Sequence, residues 1–242
     1  MKTIRILPLI VGLTAGGLCV SPAHAQQRVP ASDVHCEAGP EQKDISAKIE
    51  AKCLSQMKGL ASRSGDKLRL VLNDGRIKTI SGNSRACQDG DAQKCLEYRL
   101  AAYYPAEQLF VIDEHAYESS GAIVVNAQTG AITRMEDRPR MAPGRERLVV
   151  AFSSEAWEVK RDIAVYKIEP DAVRLEWSYK AKDYEMWELG AWDVDDRIKL
   201  RVTLYAANSS GKSELTTQDA ELLRTSAGWR LNKQAKKSVG SK

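Results

Sequence analysis

Two histidines, His35 and His115, stand outside the first 25 residues. A serine or cysteine nucleophile working through an imidazole would need one of them as its base. His115 lies in Ile112-Asp113-Glu114-His115-Ala116-Tyr117-Glu118. On an extended strand Asp113, His115 and Tyr117 share a face, which would give an imidazole tuned by carboxylates. No serine or cysteine sits in a recognisable elbow, so the stretch reads better as a polar strand end entering the Ser119-Ser120 turn. The chain has neither a phosphate-cradling glycine loop nor a zinc-protease helix. Paired carboxylates of the glycosidase kind leave no local signature, so a hydrolase remains the alternative. Two acidic turns, Asp89-Gly90-Asp91 and Asp193, Asp195 and Asp196, fall short of the six to eight oxygens that calcium takes. They read as solvated turns, and neither a metal nor a cofactor is expected.

The most informative patch is Trp177 to Trp192, which carries Trp177, Tyr179, Tyr184, Trp187 and Trp192. From Glu176 to Asp196 seven acids stand against two lysines. Pro139 to Arg147 is the opposite, with Arg140, Arg145 and Arg147 against one glutamate. Trp177 and Tyr179 sit on the apolar side of an alternating strand and read as core. Tyr184, Trp187, Trp192 and Asp193 are the candidate binding residues. They would stack on a saccharide or grip an envelope or secreted protein, because aromatic residues dominate such contacts. A variant of this reading is an inhibitor or immunity protein that neutralises a cationic secreted enzyme.

These residues need an address and a scaffold. Lys2 and Arg5 precede an apolar run from Ile6 to Val20, and Ala23-His24-Ala25 presents small residues at a cleavage site. This pattern is a bacterial export signal over residues 1–25, and the run is shorter than the about 20 residues of a membrane span. The mature chain is expected in the periplasm or secreted. Cys19 follows Leu18, which does not suit lipid attachment. The formal charge of +4 falls to +2 without Lys2 and Arg5. That balance gives no case for nucleic acid, which wants a clustered basic face.

Cys36, Cys53, Cys87 and Cys95 remain after cleavage. An even number in an exported chain reads as two disulfides, and no pair has the close spacing of a zinc site. Three pairings are possible. Asp89-Gly90-Asp91 is turn chemistry that brings Cys87 toward Cys95, leaving Cys36 with Cys53. That second bridge is tight. A helix starting at Pro40 rises about 20 Å to Cys53, and the residues before it reach back about 14 Å at most. The preceding strand must fold back along the helix, or the helix must start later.

Ile45, Ile49, Cys53, Met57 and Leu60 form one helical stripe over Glu41 to Leu60, with Gly59 or Gly65 as a stop. The period then changes to two. Leu68, Leu70 and Leu72 share a face ahead of the Asn73-Asp74-Gly75 hairpin. Leu96, Tyr98, Leu100, Ala102 and Tyr104 align, as do Val173, Leu175, Trp177 and Tyr179, and Ile198, Leu200, Val202 and Leu204. Ala122 to Val125 and Leu148 to Phe152 are continuous apolar runs, which suits central strands covered on both faces. About a dozen strands at this spacing imply an all-β fold, an antiparallel propeller-like or sandwich-like β domain with one N-terminal α-helix. The expected organisation is signal 1–25, leader and helix 26–65, β domain 66–232 and a disordered basic tail 233–242.

Tyr117 to Phe152 runs strand, Thr129-Gly130 hairpin, strand, Ala142-Pro143-Gly144 turn, apolar strand. This order resembles bacterial beta-propeller blades. It is more similar still to a group of exported bacterial beta proteins with a Tyr-Glu-Gly-Gly stretch, a Thr-Gly hairpin, a Ser-Pro-Asp-Gly turn and a later Trp-x-x-Asp-Asp. The matching stretches here are Tyr117-Glu118-Ser119-Ser120-Gly121, Thr129-Gly130, Ala142-Pro143-Gly144 and Trp192-Asp193-Val194-Asp195-Asp196. The resemblance covers roughly Tyr98 to Tyr205, and the third stretch lacks the serine and the aspartate. It implies blade-like sheets and brings no activity or catalytic residues. The expectation is a non-enzymatic binding or interaction protein of the bacterial envelope.

Overall fold

A computed structural model of the chain describes residues 29–36, 46–152, 160–181, 185–207 and 213–233. The expected signal, Tyr184 and residues 234–242 lie outside them. The described elements, in order, are β1 (Val34–His35), α1 (Ser46–Gln56), β2 (Ala61–Ser64), β3 (Lys67–Val71), β4 (Ile77–Ser81), α2 (Ser84–Gln88), β5 (Leu96–Tyr104) and β6 (Leu109–Ala116). They continue with β7 (Ser119–Asn126), β8 (Ile132–Met135), β9 (Arg140–Met141), β10 (Arg147–Ala151), β11 (Ile163–Ile168) and β12 (Val173–Tyr179). The last four are β13 (Glu185–Leu189), β14 (Arg197–Ala207), β15 (Ser213–Thr225) and β16 (Gly228–Lys233).

The strands form four antiparallel sheets, ordered β2-β3-β4, β1-β5-β6-β7-β8, β9-β10-β11-β12 and β13-β14-β15-β16. The fold is therefore all-β, and its sheets pack face to face as in a sandwich. Three cores join them. Leu68, Leu70 and Ile80 of the first sheet, with Cys53 of α1 and Met57 just after it, meet Tyr98, Phe110, Ile112, Ile123 and Val125 of the second. The opposite face of the second sheet, with Leu109, Val111 and Val124, meets Leu148, Val150 and Tyr166 of the third. Val149, Ile163 and Val165 on the third sheet's other face meet Trp187, Ile198, Leu200, Val202 and Leu222 of the fourth. Strands β7 and β10 have apolar residues on both faces because each separates two cores, as their continuous runs imply.

The segment expected as leader and helix also supplies strands, since β1 pairs with β5 and β2 with β3. Helix α1 ends at Gln56 rather than Leu60; of its predicted stripe Cys53 is buried within it, and Met57 and Leu60 are buried in the turn that follows. Its end is marked by Lys58 and Gly59 in positive φ, at 50° and 90°. Short helix α2 carries no sequence period of its own. It is started by the Asn83 side chain, which accepts from the Ala86 N–H at 3.3 Å.

Both disulfides follow from this scaffold. Cys36 is bonded to Cys53 with their Cα atoms 5.5 Å apart, because β1 packs against α1 within the first core. Cys87 at the end of α2 is bonded to Cys95, just before β5, with Cα atoms 4.3 Å apart.

Two bulges break the expected alternation. In β5 the register passes from Leu100↔Ile112 to Ala102↔Val111, leaving Ala101 as an extra residue. Tyr98, Leu100 and Tyr103 face the first core, and Ala102 and Tyr104 the second, so the single stripe from Leu96 to Tyr104 is not formed. Glu50 of α1 meets this bulge. Its Oε1 accepts the Leu100 N–H at 2.8 Å, while Arg63 clamps both carboxylate oxygens at 2.6 Å. In β12 the register passes from Val165↔Trp177 to Tyr166↔Leu175, so Glu176 is the extra residue. Val173 turns to the second core, Trp177 and Tyr179 turn to the third, and Leu175 is exposed. The predicted common face for these four residues is corrected by that bulge.

Candidate functional site

The leading strands of the second, third and fourth sheets converge on a groove with a volume of about 600 Å³. His35 of β1 and Tyr104 of β5 contribute one wall. Asp137, Arg138 and Arg140, on the link from β8 into β9, form the second. Glu188 and Leu189 of β13 form the third. The groove is thus lined by ionisable groups of both signs above an apolar floor that includes Ala102 and Val111.

Each wall is held by its own contacts. His35 packs edge-on to Tyr104 at 5.6 Å between ring centroids. Arg138 forms a two-nitrogen clamp on Asp113. Arg140 donates to the carbonyl of Gly190, tying β9 to the fourth sheet. Burial pushes the Asp137 carboxyl above the usual carboxylate range. The Arg138 N–H, donated at 2.7 Å, works against that shift, and the nearby Asp113 charge adds to it. The carboxylate coupled to it, Asp113, has both oxygens on Arg138 and is not a free base or nucleophile.

Behind the groove Arg145, at φ 63°, binds the Asp33 carboxylate at 2.8 and 2.9 Å and both oxygens of Glu107. This fixes the chain ahead of β1 and the β5–β6 turn to the β9–β10 turn. The Arg145 hydrogen bonds hold Asp33 below the usual carboxylate range against the opposing effect of burial, with the charges of Arg145 and His35 assisting.

The aromatic segment is placed differently from its expected role as a surface. Trp187 is fully buried and Trp192 is 8 % exposed, both in the third core. Trp187 pairs with Val202, whose side of the sheet faces the third core. It therefore packs inward and is not an exposed anchor. Asp193 is exposed and pairs with Lys199 at 3.4 Å. Tyr184 lies outside the described residues.

The basic and acidic stretches do meet. Arg147, buried at the start of β10, binds Glu176 at the β12 bulge at 2.7 Å. Glu176 also lies 4.0 Å from Arg224, which is 3.6 Å from Asp196. The Gly144 N–H donates to Asp195 at 2.6 Å. The Ala142-Pro143-Gly144 turn and the Asp193-to-Asp196 turn are thus two halves of one junction between the third and fourth sheets. The acids from Asp193 to Asp196 are used in this way and in the Lys199 pair.

His115 is exposed, and Asp113 turns to Arg138, so the Asp113–His115–Tyr117 cluster is not assembled. Among the described residues no group of three metal-ligating side chains comes together, and no helix is long and apolar enough to cross a membrane. Comparison with protein-family models, curated proteins and solved structures finds no match. The groove itself had little signal in the sequence: its walls come from residues far apart along the chain, and of the predicted site residues that are described only Trp187 borders it.

Proposed function

We propose that this protein is a non-enzymatic binding module of the bacterial envelope, exported by its N-terminal signal into the periplasm or beyond. The observation that carries this reading is the groove. Three sheets present His35, Asp137, Arg138, Arg140 and Glu188 around one cleft of about 600 Å³. Strands rather than long loops hold most of its lining, so it is preorganised for a partner of mixed charge. The two disulfides support an oxidising compartment. A protein segment fits the groove better than a saccharide. Its described aromatic residues, Tyr104 and Trp187, are buried and leave no exposed ring for a sugar face. The paired-carboxylate alternative has less support, because Asp113 is consumed by Arg138.

The test is capture from an envelope extract by the wild-type protein and by an Arg140→Glu, Glu188→Lys variant. Both side chains are exposed, but the variant loses the Arg140 hydrogen bond to the Gly190 carbonyl, so the melting temperature should fall by no more than about 4 °C, the scale of one hydrogen bond. Partner capture should fall at least about tenfold, the scale of one interface hot spot. A folded variant that captures the same proteins as the wild type would refute the groove as the binding site.

A further inference from the structure

At the end of the fourth sheet a lysine ammonium sits in an aromatic and carboxylate cage. The Lys233 Nζ lies 2.5 Å from Glu185 Oε1 and 3.1 Å from the Tyr179 hydroxyl. It is 5.2 Å from the Tyr179 ring centroid and 5.3 Å from that of Trp187. The two rings meet edge to face at 5.7 Å and 78°. The other Glu185 oxygen accepts from the Tyr179 hydroxyl at 3.1 Å and from the Trp187 indole N–H at 3.2 Å. The Glu185 side chain is 10 % exposed and Trp187 is fully buried.

This arrangement demands a cation. Its two neutral donors occupy one carboxylate oxygen, and among the described residues the ammonium is the partner of the second. A buried carboxylate left without its cation is strongly unfavourable, and two ring faces add a cation–π attraction. The cage specifies charge and size, whereas little specifies that the ammonium must come from this chain. Lys233 is the last residue of β16, which borders only β15. Its side chain is 32 % exposed, and strand ends open at small cost.

We propose that Tyr179, Glu185 and Trp187 form a binding site for a primary alkylammonium, occupied in the free protein by Lys233 as an intramolecular stand-in for the lysine of a partner. Trp187 borders both sites, but none of the ionisable groups of the groove contributes to this cage, so the Arg140 and Glu188 variant tests the groove alone and the Lys233 and Glu185 variants test the cage alone. The acidic aromatic segment is then a cation-binding element after all, with the ligand at its inner side.

Chemical rescue tests this. In a Lys233→Ala variant the emptied cage should take up n-butylammonium. At about ten times its dissociation constant, linkage predicts a rise in melting temperature of roughly 3–6 °C. Nα-acetyl-lysine amide should act likewise, and Nα-acetyl-norleucine amide should not. The wild type, with its cage filled, and a Lys233→Ala, Glu185→Gln variant should show no rise beyond that given by potassium chloride at equal ionic strength. Equal shifts in all three proteins, or none in Lys233→Ala, would overturn the proposal. If Lys233→Ala does not fold in buffer, its refolding in butylammonium is the readout, and failure to recover there also overturns it.

Discussion

Replacing Arg147 by alanine should loosen the third sheet, because Arg147 on β10 and its partner Glu176 on β12 are tied within it, next to the Glu176–Arg224 contact with the fourth. The Arg147 side chain is 4 % exposed and its main partner, Glu176, is 24 % exposed. Removing one member of a buried pair costs about 3–5 kcal/mol, mostly through the charge left behind. Glu176 keeps some water and Arg224 at 4.0 Å, so the expected loss is somewhat below that range, about 2–3 kcal/mol. In urea this should lower the midpoint without changing the slope, and in a thermal scan it should lower the transition by roughly 4–12 °C. The pH dependence gives an independent check. Burial alone would raise the Glu176 carboxyl, but the hydrogen bond from Arg147 and the charges of Arg147 and Arg224 bring it below its ordinary value. A carboxyl depressed in the folded state stabilises fully above its unfolded pKa and loses that contribution as pH falls through the folded one. The gap between wild type and Arg147→Ala should therefore be complete at neutral pH and shrink below about pH 4.3. An Arg147→Met, Glu176→Met double variant should recover most of the loss, since apolar replacement of a buried pair is often neutral or better. A loss under about 1 kcal/mol, a gap that persists to pH 3, or a double variant no better than Arg147→Ala would refute the assignment.

Two further outcomes follow from the scaffold. Native mature protein should show no reactive thiol at Cys36, Cys53, Cys87 or Cys95, and Cys36→Ser with Cys53→Ser should cost about 3 kcal/mol in urea unfolding for a loop of this size; two or more titratable thiols in the native state would contradict the pairing. Gly144→Ala should lower the melting temperature, because its Cβ would lie 2.0 Å from Asp195 Oδ2, and adding Asp195→Ala should relieve that clash; an unchanged melting temperature for Gly144→Ala would show that the junction is not tight.

The strands, their central or half-buried character and the two cysteine pairings were largely legible in the sequence. The reason is that a period of two, apolar runs and turn residues are local quantities. Leu68, Leu70 and Leu72 are buried together as their spacing implies, and Val124 and Val149 sit in strands covered on both faces. The Asn73-Asp74-Gly75 and Thr129-Gly130 turns join the strand pairs that their chemistry predicts. Bulges escaped, because an extra residue such as Ala101 or Glu176 looks like any other in a strand. It becomes visible only when the partner strand supplies the register. That single shift put Leu175 and Trp177 on opposite faces of the sheet.

The partners of charged residues escaped for a related reason. Arg140, Arg145 and Arg147 read as one basic stretch, yet they serve Gly190, Asp33 with Glu107, and Glu176 respectively. The acidic aromatic segment read as a surface for a saccharide or a protein partner, and the fold turned Trp187 and Glu185 toward Lys233. Sequence fixes which charges exist and how each strand alternates. Which charge faces which depends on the stacking of four sheets, a long-range arrangement that brings residues 50 or more positions apart into hydrogen-bonding distance.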